Sequence, residues 1–182
     1  MKNQLFNVGV LAVLSLLGSM SASIASPTAH AFFDELQQLC GSRYEGEMTF
    51  PVDGQDSFAG KLLVAEFKKC SDSEVRVPFA VGDNTSRTWV FTKTDAGARL
   101  KHDHRHADGS LDEVTNYGGD ASSDGTELSQ SFAADAFTAE LIPDAATNVW
   151  TVSLSEDLQT LTYHLERHAK PRFTAVLNRV SD

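Results

Sequence analysis

From Gly41 onward the chain runs in short stretches of alternating apolar and polar residues, each closed by a turn-forming segment. The punctuation is Asp53-Gly54, Asp83-Asn84, Asp95-Ala96-Gly97, Asp108-Gly109, Gly118-Gly119, Asp124-Gly125 and Pro143-Asp144. Alternation with period two sorts side chains onto the two faces of a strand, and turns at this spacing join antiparallel neighbours. The pattern predicts strands over residues 43–50, 58–69, 74–81, 87–94, 99–106, 111–117, 126–133, 137–141, 148–154, 160–167 and 172–179. So many strands in one short chain need a closed barrel or a sandwich. The fold expected is all-β, an antiparallel up-and-down barrel of about ten strands with a short N-terminal helix. That helix is residues 32–39, where Phe32, Phe33, Leu36 and Leu39 recur at helical spacing and form a stripe able to lie across a barrel mouth.

In the last three strands the apolar phase is Trp150, Val152 and Leu154, then Leu161, Tyr163 and Leu165, then Phe173, Ala175 and Leu177, which are the expected core. The opposite phase of the penultimate strand, with His164 and Glu166 followed by His168, is expected in solvent.

Ahead of the helix, Lys2 precedes an apolar run from Leu5 to Leu17, and small residues lead to Ala29-His30-Ala31. This is the pattern of a secretory signal peptide over residues 1–31, cut after Ala31; an earlier cut, after Ala25 for instance, leaves a short tail. The run is shorter than the about 20 residues of a membrane span, and no later segment approaches that length. The expected mature protein is one domain over residues 32–182, exported to a periplasm or the extracellular space, and monomeric.

Of 15 Lys and Arg and 25 Asp and Glu, residues 1–31 hold one Lys and no acid, leaving a formal charge of −11. An acidic surface argues against nucleic acid and anionic membranes as partners. Cys40 and Cys70 are the only cysteines, and an oxidising compartment favours their pairing as a disulfide that ties the helix to the strand ending at Cys70.

The one local cluster with chemical character is Lys101-His102-Asp103-His104-Arg105-His106, whose three histidines share a face if the segment is a strand. A two-residue turn at Asp108-Gly109 would pair His106 with Leu111, His104 with Glu113 and His102 with Thr115, and set Arg105 against Asp112. The histidine face then also holds Leu100, Leu111 and Tyr117, while the other face is charged or polar, so the histidines should point inward. His102, His104 and Glu113 would supply three ligands of kinds accepted by zinc, copper or nickel. Hydrogen bonding around a water-filled cavity would use the same groups without a metal. Gly-x-Ser-x-Gly elbows, phosphate loops and dinucleotide fingerprints are absent from the sequence, which gives nucleophilic catalysis little support.

A short helix, the opening strand Gly41-Ser42-Arg43-Tyr44-Glu45-Gly46 and an up-and-down strand series resemble the calycin barrels, the lipocalins and fatty-acid-binding proteins. The chain departs from the lipocalin pattern by having Gly41-x-x-Tyr44 in place of Gly-x-Trp. Arg87-Thr88-Trp89, a His-bearing strand and Gly118-Gly119 are similar to the haem-binding nitrobindin-like barrels. The resemblance implies a barrel with an internal cavity. By the same resemblance Tyr163 and Arg167 are candidates to hold a ligand carboxylate, as an Arg and Tyr pair does in fatty-acid-binding barrels.

The leading expectation is a non-catalytic exported barrel binding a small apolar or amphiphilic molecule without a cofactor. Its expected ligand-binding residues are His102, His104, His106, Glu113, Tyr117, Tyr163 and Arg167. The alternatives are a metal- or haem-binding protein using His102, His104 and Glu113, including a metalloenzyme, and a structural or interaction module of the cell envelope.

Overall fold

The computed structural model describes residues 26–50 and 57–181. The part of the expected signal peptide before Ser26 and the expected Asp53-Gly54 turn lie outside that range. Helix α1 (Pro27–Gln38) leads into β1 (Arg43–Phe50), β2 (Leu63–Glu66), β3 (Lys69–Cys70), β4 (Glu74–Val81), β5 (Asn84–Thr94), β6 (Gly97–His104), β7 (Tyr117–Asp120) and β8 (Ser129–Ala133). Helix α2 (Ala136–Leu141) and a 3-10 turn (Pro143–Ala145) precede β9 (Asn148–Leu154), β10 (Thr160–Arg167) and β11 (Lys170–Val180). All strands belong to one antiparallel sheet in the order β7-β6-β5-β4-β2-β1-β11-β10-β9-β8, with β3 beside β4. Along this path each strand is bonded to the next in sequence, apart from β2, which pairs with β4 past the short β3, and the β7–β8 seam, and β1 closes on β11 with Arg43 opposite Val180. The result is a nearly closed up-and-down barrel of ten strands, an architecture consistent with a calycin-like barrel.

The remaining seam, between β7 and β8, shows why closure falls there. A Cβ on Gly119 would sit 1.8 Å from the Ala133 carbonyl oxygen, and one on Gly118 2.0 Å from that of Leu100, so only glycine lets β7 approach β6 and β8 this closely. In place of a full ladder, the buried Thr138 hydroxyl accepts from the Gly118 N–H at 2.7 Å and the Asp135 N–H donates to the Gly118 carbonyl at 2.9 Å. Ala121 and Phe132 form a single bridge beyond. The Gly118-Gly119 pair expected as a turn is therefore strand, and residues 137–141, expected as strand, form α2. Asp135 caps that helix by accepting from the Thr138 N–H at 2.9 Å, a local preference for helix that the short apolar run concealed.

Helix α1 closes one end. Phe32, Phe33, Leu36 and Leu39 are wholly buried, and Phe32 packs on Phe91 and Phe132 at 6.4 and 6.2 Å between ring centroids. The helix starts at Pro27, five residues before the expected Phe32, because Ser26 caps it and Pro27 supplies a preset φ at the first turn. The Cys40–Cys70 disulfide ties the end of α1 to β3. The expected apolar phase of β9, β10 and β11 faces inward throughout, fully buried except for the partly covered Leu165. The long connections, residues 105–116 and 134–147, gather at the opposite, open end.

Candidate functional site

At the open end the barrel encloses a cavity of about 240 Å³. Strands β4, β5, β6, β7, β9, β10 and β11 line it, each with side chains of its inward phase. On one wall the Trp89 indole stacks on Phe79 at 4.4 Å and on Tyr163 at 4.5 Å, nearly parallel to both. On another, the His102 ring stacks on Tyr117 at 4.6 Å and 11°. A hydrogen bond of 2.7 Å between the Tyr163 hydroxyl and His102 Nε2 joins the two stacks.

The second His102 nitrogen fixes the tautomer. Nδ1 lies 3.1 Å from the Tyr117 carbonyl, which can only accept, so Nδ1 carries the proton and Nε2 accepts from Tyr163. Burial pushes the His102 pKa down to about 3, so the ring is neutral at ordinary pH. Burial likewise lifts the Tyr163 hydroxyl well above its usual range, which suits a hydroxyl that donates. The Tyr117 hydroxyl, 3.0 Å from His104 Nε2, is pushed up to about 12 by burial. His104 is half-buried; burial first, then the nearby Arg87 charge, lowers its pKa.

Arg87 is the polar group that the expected site did not contain. It lies opposite His104 across the β5–β6 ladder, on the inward phase with Trp89 and Phe91. Its guanidinium carbon stands 5.3 Å from the centroid of the Phe58 ring, and its Nη1 is buried with no hydrogen-bond partner among the described residues. The alternation Arg87, Trp89, Phe91 carried the signal, since two large aromatic residues in phase with an arginine place it inside.

His102, His104, Tyr117 and Tyr163 meet in the cavity, as anticipated. His106 is exposed and lies outside it, and so does Glu113. The expected register is corrected by two residues: Tyr117, not Thr115, lies opposite His102. Residues 113–116 leave the ladder, because the Asp112 N–H donates to the His104 carbonyl and the Asn116 N–H to that of His102, looping out the residues between. The expected strand over residues 111–117 is thus β7 starting only at Tyr117. Thr115 turns its hydroxyl back to accept from the His104 N–H at 2.8 Å. Arg105 pairs with Asp103 at 3.1 Å rather than with Asp112. Arg167 donates to Asn148 Oδ1 at 2.8 Å, away from the cavity.

Without Glu113 the metal set His102, His104 and Glu113 is not assembled, and no group of three His, Cys, Asp or Glu side chains among the described residues is placed to hold a metal ion. Comparison with known families, curated proteins and solved structures finds no match to this chain.

Proposed function

We propose that this protein is an exported, non-catalytic binding barrel that takes a small apolar or amphiphilic molecule into the cavity at its open end. The observation that carries this reading is the asymmetry of the interior. One end is packed solid beneath α1, while the other is left open and lined by aromatic faces among which a few polar groups converge. The large exposed apolar side chains among the described residues support it, since Phe50, Leu62, Leu111, Val114 and Phe137 all belong to the ends of strands and the connections around that opening.

A catalytic reading finds no poised group. His102 has both ring nitrogens engaged, and the Tyr163 hydroxyl is committed to it. The volume also bears on the ligand. About 240 Å³ corresponds to roughly eight waters at liquid density, room inside the cavity for a single ring with a short substituent.

Untagged protein from its own compartment, analysed by native mass spectrometry and then extracted, is expected to release a small organic molecule in near-stoichiometric amount. Protein that carries nothing, and whose tryptophan fluorescence is unmoved by a panel of single-ring compounds, would overturn the proposal.

A further inference from the structure

Arginines on this side of the barrel divide into two kinds. Arg76 and Arg105 share Asp103, and Arg99 holds Asp120 with its Nε at 2.6 Å, all on the outer face. Arg87 alone among these four faces inward, and it makes no ion pair among the described residues. Contact with the face of Phe58 offsets part of the charge, yet leaves the buried Nη1 of the guanidinium without a hydrogen-bond partner among the described residues. Five donors in a planar fork match a carboxylate, and a buried donor without a partner is destabilising until something supplies one.

From these observations we propose that the cavity takes a small aromatic carboxylate, its acid group bound by Arg87 and its ring lying deeper among Trp89, Trp150 and Phe173. The inference rests on the binding reading above and names its ligand class. Position along the barrel sets the orientation. Arg87 and His104 form the cross-strand pair nearer the opening, and Trp89 and His102 the next pair inward, so the acid lies toward the mouth and the ring toward the floor. The Tyr117 hydroxyl, already beside His104 Nε2, is the second donor within this polar group. Aromatic walls reward a planar ring through stacked and edge contacts, and the cavity volume accommodates one such ring with a short acid arm.

The two tryptophans of the chain, Trp89 and Trp150, both line this cavity, so intrinsic fluorescence reports on it directly. The test titrates wild-type protein with phenylacetate, with its neutral isostere phenylacetamide, and with acetate and inorganic phosphate, which carry the charge without the ring. Phenylacetate is expected to bind about tenfold more tightly than the amide and far more tightly than acetate or phosphate, as a charge-assisted bidentate contact plus ring burial requires. Arg87→Met should lower the affinity for phenylacetate to that for the amide and so remove the preference for the acid, whereas Arg167→Met, outside the cavity, should leave that preference as in wild type.

Equal binding of acid and amide in wild type, unaltered by Arg87→Met, would overturn the carboxylate assignment while the binding cavity stood. Acetate or phosphate binding as tightly as phenylacetate would overturn the aromatic class. No response to any ring compound would overturn both this inference and the proposed function. The wild-type comparison of acid with amide does not depend on the variant, and Arg87→Met should melt no lower than wild type because it removes an unpartnered buried donor.

Discussion

At position 102 the imidazole is held by two hydrogen bonds of opposite sense, a donor to the Tyr117 carbonyl and an acceptor from the Tyr163 hydroxyl, and only the neutral ring can make both. The folded protein therefore refuses a proton that the unfolded chain binds below pH 6.5, down to a folded pKa of about 3. Within that window the unfolded state carries the extra proton, so stability falls as the pH falls, by roughly 4 kcal/mol at its acid end. His102→Asn keeps a donor for the carbonyl and removes the titration. Urea unfolding at pH 7 and pH 4 is expected to show the variant losing about 3 kcal/mol less than wild type between the two; parallel losses would sink the assignment. The inward direction of His102 and His104 was legible from their alternation and the apolar neighbours on their face. The absence of Glu113 was not, because a looped-out segment depends on which backbone carbonyls accept from Asp112 and Asn116.

Helix α1 shows how two sequence signals can compete for the same residues. Ser26 followed by Pro27 is a capping signature, yet the same stretch reads as the tail of a signal peptide. Packing supports the cap. The Ser26 N–H donates to the Ala96 carbonyl at 2.9 Å, the His30 ring donates to that of Thr94 at 2.8 Å, and Ala29 is wholly buried. Gly97 receives the helix: a Cβ there would stand 2.7 Å from that of Ala29, and its φ of +140° is open only to glycine at little cost. Cutting after Ala31 would remove the cap and the first turn, whereas cutting after Ala25, with Ser23 two residues before it, leaves α1 whole. If the chain is exported and processed, its intact mass is expected to correspond to a chain beginning at Ser26; a chain beginning at Phe32 would show that the first turn is dispensable. Helix α2 fell to the same difficulty in reverse, since six residues carry too little periodicity to separate helix from strand.

For the whole molecule, the disulfide lies at the closed end and the cavity at the other, which makes stability and binding separable. Cys40→Ser with Cys70→Ser opens a loop of 30 residues in sequence and should lower unfolding free energy by about 3 kcal/mol in denaturant titrations. Phenylacetate titration of the folded variant should match wild type; weakened binding would mean that the two ends are coupled. Alternation and turn residues determined by themselves the all-β class, the meander, the core phase of the last three strands and the inward His102 and His104, because period-two patterning and tight turns are local properties of the chain. Tertiary structure alone decided where the barrel closes, which carboxylates stay outside, and that Arg167 turns to Asn148 instead of the cavity. Those outcomes depend on which backbone groups and side chains distant parts of the chain bring within hydrogen-bond reach, and no local pattern encodes that.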